Sequence, residues 1–368
     1  MIDLKTIALL DEGLDARNVC SSPVLVTKGD GTTTFVRCGS MDERLCKSCA
    51  ELNKGDIKRL IGSGIDAEKA EAFRFYFWTL TAGSFGRVHR EGRRCACGDV
   101  HSTGSGWAGV ALNPDKYDYS AAVAWNAGLG GLWNKTTTSL RDSLPDAEVA
   151  SVREWQARGT MHVHALVRVP AWVEDEAVHA ALIRAGGVSS HGHVWGTQQD
   201  VRLIATDDGL RHGVRYLAKA LTYTVKSVGV VMPTTTAEPA RIQHFQRLEW
   251  AARAMRCRNP RCEKAQHIPE DHDDSRCCSG CPSLVHRRYG FGGHRFARTR
   301  GWSLVALTRQ ALKDQRRAYA EEKASHGAGA SRLQERVVVE AARDREAHKN
   351  ADAARRAEAW KIMDQGKN

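Results

Sequence analysis

The sequence predicts an α+β protein with small cysteine-rich modules and a helical C-terminal tail. Three observations carry this. Strand-like and helix-like patterns alternate through residues 70–230. Most of the cysteines gather outside that stretch, before residue 50 and after residue 256. The residues beyond 306 are rich in Ala, Arg and Glu and carry few aromatics. Hydrophobic residues make up 42% of the 368 positions and charged residues 26%, enough for a real core. The expected organisation is an N-terminal cysteine-rich module over 1–65 and a main domain over 66–232. A C-terminal cysteine-rich basic module over 233–306 and a charged tail over 307–368 follow.

Taken in order, the first element is a cysteine framework. Cys20, Cys38, Cys46 and Cys49 have the spacing Cys-x17-Cys-x7-Cys-x2-Cys, and a four-thiolate zinc site would use all of them. FRFYFWTLT (Phe73–Thr81) is aromatic and β-branched and reads as a buried strand. Cys95-x-Cys97 with His101, and His89 as a further candidate ligand, suggests a zinc-stapled loop beside it. MHVHALVRV (Met161–Val169) has two faces. His162, His164, Leu166 and Arg168 share one, and Val163, Ala165, Val167 and Val169 the other. HGVRYLAKALTYTVKS (His212–Ser227) has helical spacing, with Tyr216, Lys219, Ala220 and Tyr223 on one side. Cys257-x4-Cys262 with Cys277, Cys278 and Cys281 offers a third structural zinc site with one cysteine spare. Arg287, Arg288, Arg295, Arg298 and Arg300 sit among Tyr289, Phe291, His294, Phe296 and Trp302. Basic groups neutralise phosphates and aromatics stack on unpaired bases, so this segment is a candidate DNA contact. The tail after Leu307 interleaves 14 basic with 10 acidic residues, which favours solvated helices broken near Gly327–Gly329.

Charge and composition narrow the function classes. Lys and Arg number 54 against 43 Asp and Glu, a formal net charge of +11. Such a surplus points to a polyanion, with nucleic acid first. No run approaches the roughly 18 apolar residues of a membrane span, so no membrane partner is expected. The start, MIDLKTIALLDEG, carries an early acid and lacks a basic leader, unlike a secretory signal. A reducing bacterial cytoplasm is the expected setting, where clustered cysteines bind metal more often than they pair.

Two constellations carry chemistry. Histidines separated by one residue on a strand point the same way, roughly 7 Å apart, and can converge on one divalent ion. Glu154 and Gln156 lie upstream with matching parity, and either can supply an oxygen ligand. A second pair, His191-Gly192-His193, sits beside glycines and serines and reads as a turn leading into a strand. A Tyr hydroxyl can act as a covalent nucleophile on a phosphodiester once a metal polarises the phosphate. Lys219, one turn from Tyr216, can position that phosphate. A helical Tyr is also a common packing residue with its hydroxyl at the boundary.

FWTLT, then QARGTMHVHALV, then YLAKALTYTVK resemble, in order and type, the three motifs of rolling-circle replication initiators. That is the HUH (His-hydrophobe-His) endonuclease superfamily. CACGDVH followed by YDYSAAVAWNAGLGGLWNKTTTSLRD is similar, more narrowly, to initiators of actinobacterial plasmids and integrative elements. The resemblance implies a central antiparallel sheet with the His-x-His strand in its middle and the tyrosine helix packed across it. It implies a site-specific single-strand endonuclease and strand transferase using Mg²⁺ or Mn²⁺. His162 and His164 would be ligands, with Glu154 or Gln156 the third and Arg158 nearby at the DNA. A tyrosine would keep the 5′-phosphate and leave a 3′-OH primer at a plasmid origin, single-stranded at the nick, for a host helicase and polymerase. One departure stands out. Some initiators of this kind show Tyr-x-x-Lys-Tyr, whereas here the second position is Ala220. Tyr216 is the matched nucleophile and Tyr223 the substitute on the same face. A relaxase or transposase of the superfamily fits less well, because relaxases tend to place their Tyr ahead of the histidines. A zinc-stabilised origin-binding or repressor protein without nicking activity is the alternative.

Overall fold

A computed structural model describes residues 20–65, 72–204, 238–255 and 284–325, apart from 22, 28–30, 32, 41 and 42. Tyr216, Lys219 and Tyr223 lie outside the described residues, as do Cys257, Cys262, Cys277 and Cys281. The chain forms two compact units, 1–60 with 307–368, and 61–306. Among the described residues no helix is long and apolar enough to cross a membrane.

In the first unit, strands β1 (Val24–Thr27) and β2 (Thr33–Val36) form an antiparallel hairpin. Helix α1 (Glu43–Gly62) follows and is broken at Cys46 (φ −161°, ψ 99°). The C-terminal part of this unit contributes helix α6 (Arg309–Ser325).

The second unit is a mixed α/β body on an antiparallel sheet, in keeping with the α+β class. Its strands are β3 (Phe73–Ala82), β4 (Glu148–Trp155), β5 (Met161–Pro170), β6 (Ser189–Ser190), β7 (His193–Ile204) and β8 (Phe296–Arg298). Their order across the sheet is β6-β7-β3-β5-β4-β8, antiparallel throughout. The His-x-His strand β5 therefore lies between β3 and β4. His191 and Gly192 form the tight β6–β7 turn (φ 49° and 78°), a conformation that suits Gly at the second position.

One face of the sheet is the core. Tyr76, Trp78 and Leu80 on β3 and Val163, Ala165 and Val167 on β5 pack beneath two helices. Helix α2 (Tyr119–Ser143) supplies Trp125, Leu129, Leu132, Trp133 and Leu140. Helix α3 (Asp175–Gly186) supplies Val178, Ala181 and Leu182. These α2 side chains fall at helical spacing, i, i+4, i+7, i+8 and i+15, and so form one stripe. Asp118 caps the helix, its carboxylate accepting from Ala121 N–H at 2.8 Å. The other face of β5 is also closed over much of its length, with Leu166 and Arg168 buried.

Helix α4 (Glu238–Ala254) packs on α2 through Phe245, Leu248 and Ala252. Its His244 is buried. The His244 Nδ1 faces Ala111 N–H (3.4 Å) and the Tyr119 hydroxyl (3.1 Å), and Nε2 faces the Arg158 carbonyl (3.2 Å). A backbone N–H can only donate, so Nδ1 accepts and Nε2 carries the proton of a neutral ring. Burial lowers this imidazole to about 4, against the opposing pull of the Arg158 carbonyl. An unfolded histidine titrates near ~6.5. Between those values only the unfolded chain takes up the proton, so stability is full above the upper value and falls with pH down to the lower, by up to ~3 kcal/mol. The expected result is a thermal midpoint that drops across this window and drops less in His244→Gln. Identical pH profiles for the two proteins would refute the assignment.

Candidate metal centres

Three strands assemble the first centre. The register places Glu154 on β4 opposite His162 on β5, and Thr79 on β3 opposite His164. Directly opposed residues share a face, so sheet pairing alone brings the four side chains together. His162 Nε2 and His164 Nε2 lie 3.1 Å and 3.0 Å from Glu154 Oε2, and 3.1 Å from each other. Donors bound to one ion at about 2.1 Å and right angles stand about 3.0 Å apart. The spacing here is that of three ligands to one cation. Without a cation, two ring nitrogens confront each other with at most one proton between them. His164 is buried, whereas His162 and Glu154 keep a solvent-facing side.

Electrostatics prepare the same state. Burial raises the Glu154 carboxyl, but hydrogen bonds and charge from His162 and His164 outweigh it and hold it at about 2. Burial lowers His162, against the pull of Glu154. A carboxylate beside a neutral imidazole is the protonation state that ligation requires. Thr79 Oγ1 lies 3.0 Å from His164 Nδ1, and Phe77 packs on the ring with centroids 5.5 Å apart. These contacts fix the ring so that Nε2 faces Glu154.

The β4–β5 turn is fixed by other residues. Gly159 adopts φ 79°, and Gln156 N–H donates to the Thr160 carbonyl at 2.8 Å. Gln156, the alternative oxygen ligand, stands apart from the triad. Its Oε1 accepts from Arg158 (3.0 and 2.9 Å) and from Thr160 Oγ1 (3.0 Å). Arg158, expected at DNA, also donates to the Gly83 and Ala82 carbonyls at 2.8 Å and 2.9 Å. Its guanidinium ties the turn to the end of β3. Asn126 on α2 completes the support, accepting from Met161 N–H (2.9 Å) and donating to the Gly159 and Tyr289 carbonyls (3.0 and 2.7 Å). Sequence reading missed Thr79 and Asn126. Thr79 has a signal, its place in the predicted strand Phe73–Thr81. Asn126 has none.

The second centre gathers Cys20, Cys38, Cys46 and Cys49, all with free thiols. Cys20 Sγ lies 3.8 Å from Cys46 Sγ and 3.6 Å from Cys49 Sγ. Disulfide sulfurs bond at about 2.05 Å. Four thiolates around one zinc, each at about 2.3 Å, stand about 3.8 Å apart. Backbone N–H groups of Cys38, Ser40 and Cys49 point at Cys20, Cys38 and Cys46 sulfurs at 3.3, 3.4 and 3.4 Å. Burial works against a thiolate at Cys46, but donors from Ser21 and Cys49 outweigh it and bring the group to about 6.

The third centre joins His89, Cys95, Cys97 and His101. His89 Nδ1 is 3.1 Å from His101 Nε2 and 3.6 Å from Cys95 Sγ, and Cys97 Sγ is 3.2 Å from His101 Nε2. A tetrahedral zinc predicts about 3.3 Å between nitrogens and about 3.5 Å between nitrogen and sulfur. These last two groups suit a metal such as zinc.

The C-terminal basic segment differs from its expected form. Phe291 and Trp302 are buried, and Tyr289 and Phe291 pack edge-on against Trp155 with centroids 5.8 Å and 6.2 Å apart. These aromatics serve the core in place of stacking on bases. Arg298 belongs to edge strand β8, Arg295 immediately precedes it, and Arg288 is half-buried. Arg287 closes the short helix α5 (Leu284–Arg287).

Comparison with known proteins adds a lineage. The family described as RepSA, replication initiator protein of pSAM2, matches residues 14–367. A replication initiator protein of Streptomyces ambofaciens is 32% identical in an alignment covering 53% of this chain and 53% of that protein. The chain spans about half the length of that curated relative. No solved structure matches.

Proposed function

We propose, for a chain that belongs to the RepSA family of replication initiator proteins, that it starts plasmid replication by nicking and rejoining one origin strand. One observation supports this most. Glu154, His162 and His164 bring three donor atoms within 3.1 Å of one another on a part-exposed sheet face. A bound Mg²⁺ or Mn²⁺ would polarise the scissile phosphate and offset its developing charge. Glu154, His162 and His164 would hold that ion, while Thr79 and Asn126 keep the ring and the turn in place. Tyr216 is the proposed nucleophile. Its oxygen bonds to phosphorus, the P–O3′ bond breaks, and the departing 3′-oxygen takes a proton to become the primer hydroxyl. The 5′ end remains on the protein as a phosphotyrosine, and the reverse reaction rejoins the strand. Lys219 positions the phosphate, and Tyr223 is the substitute nucleophile. The Cys20–Cys49 centre holds a structural Zn²⁺. Origin DNA is the partner, and a host helicase and polymerase act on the exposed primer end.

Ala220, where some initiators of the resembled kind carry a second tyrosine, favours a second reading, an origin-binding protein or repressor that does not cut. Supercoiled plasmid carrying the origin, incubated with Mn²⁺, separates the two. The nickase reading expects relaxed circles with protein covalently attached. It also expects Tyr216→Phe to remove the adduct and keep DNA binding. Binding without a nick supports the second reading, and cutting without an adduct contradicts the tyrosine mechanism.

A further inference from the structure

The segment joining β3 to α2, residues 83–118, contains only a single 3₁₀ turn (Pro114–Lys116) and two isolated bridges. Connections of this length without regular structure are uncommon in compact proteins and usually carry function. Its interior is a knot of metal-binding side chains. Trp107 walls the knot, lying 5.1 Å from the His101 ring and 4.6 Å from the His89 ring, centroid to centroid. Glu91 faces inward too, accepting from Gly104 N–H (2.8 Å), Ala108 N–H (3.0 Å) and Ser105 Oγ (3.1 Å). Backbone donors thus absorb the negative charge of Glu91.

The outside of the loop is the reverse. Arg87, Arg90, Arg93 and Arg94 are all exposed, and none has an ion-pair partner among the described residues. Four guanidinium groups within eight positions of one short segment concentrate positive charge on the loop surface. The loop also has a fixed address. Arg158 binds the carbonyls of Ala82 and Gly83 where the loop begins. Gly109, at φ 79°, presses on the β4–β5 turn so closely that a Cβ there would meet the Ala157 carbonyl carbon at 2.3 Å. That turn leads directly from Glu154 to His162. The arginine-bearing loop is therefore anchored at the end of the sheet that carries the triad.

We infer that His89, Cys95, Cys97 and His101 bind one zinc ion, and that this ion shapes a loop whose Arg87, Arg90, Arg93 and Arg94 grip DNA phosphates beside the triad. Two thiolates and two imidazoles in tetrahedral spacing select zinc. A full protein shell leaves the ion no open position, so its part is structural. Guanidinium forks match phosphate oxygens in pairs, and such contacts are independent of base sequence. The DNA half of the inference rests on the reading of the chain as an initiator that acts on origin DNA.

The test uses the full chain and fluorescein-labelled oligonucleotides of arbitrary sequence, single- and double-stranded. Dissociation constants are measured across a salt series. Changing all four arginines to Gln is expected to lower the slope of log affinity against log salt by about 2–3.5 and to leave the zinc content unchanged. Cys97→Ser, at an exposed position, is expected to lose one zinc per chain and to weaken binding with every arginine present. A quadruple variant with the wild-type slope overturns the DNA contact and turns attention to an acidic protein as the loop's partner. Cys97→Ser with an unchanged zinc count overturns the metal assignment. Nicking by the wild type is scored in parallel. A wild type that never nicks, beside an arginine variant that still loses affinity, sinks the nickase reading and leaves this inference standing.

Discussion

His164→Ala is expected to cut strand nicking by about 10³-fold or more, with DNA binding retained. His164 sits at the junction of every contact in the triad. It reaches Glu154 at 3.0 Å and His162 at 3.1 Å, and its far nitrogen meets Thr79. Removing the ring deletes one donor and frees the carboxylate to rotate away from the other. Several kcal/mol of charge stabilisation at the phosphate would go with the ion, and each ~1.4 kcal/mol is tenfold in rate. Chelation of the wild type should reproduce the loss, and added Mn²⁺ should restore the wild type but not the variant. Thr79→Val should fall between, at about 10–100-fold, because it releases the ring without removing it. A His164→Ala protein that nicks at the wild-type rate would remove the triad from the chemistry.

Arg168→Met is expected to lower the thermal midpoint by roughly 10 °C. The Arg168 guanidinium is buried and donates to the Gly64 and Trp302 carbonyls at 2.7 Å and to the Gly301 carbonyl at 2.9 Å. It lies over the Phe73 and Trp302 rings, 4.8 Å and 5.4 Å from their centroids. Methionine preserves most of the volume and leaves three carbonyls without a donor. Each orphaned acceptor costs about 1–3 kcal/mol, and the three overlap, so a total near ~4 kcal/mol is expected. Below its transition the variant should still bind metal at the triad, whose nearest member, His164, lies four residues away on the same strand face. A shift smaller than about 2 °C would show that the clamp contributes little.

Those two side chains also mark how far the sequence could be read. Period-two alternation in MHVHALVRV assigned His162, His164 and Arg168 to one face, and the structure has them there. What sits opposite was not legible, because β-sheet neighbours are set by register between distant segments. Glu154 and Gln156 have the same parity, and only the turn geometry around Arg158 and Gly159 separates them. Helix α2 was hidden by Gly128, Gly130, Gly131 and three consecutive threonines, all weak helix formers. Burial of its tryptophans and leucines overrides that propensity. The Tyr289–Trp302 aromatics looked like a nucleic-acid platform because composition alone does not distinguish a ring that stacks on a base from one that fills a core. The arginines at 87–94 carry no signal of their own in the sequence, because their exposure is a property of the folded loop alone.

Edge strand β8 has a consequence for synthesis on the ribosome. Its residues, 296–298, emerge long after β4, the strand they cover, and the acceptors that hold Arg168 follow at 301 and 302. Until translation passes that point, β4 has a bare margin and the Arg168 guanidinium lacks two of its three carbonyl acceptors. A prematurely terminated chain would therefore hold the triad ligands in an unfinished sheet, an incomplete product ready for proteolysis.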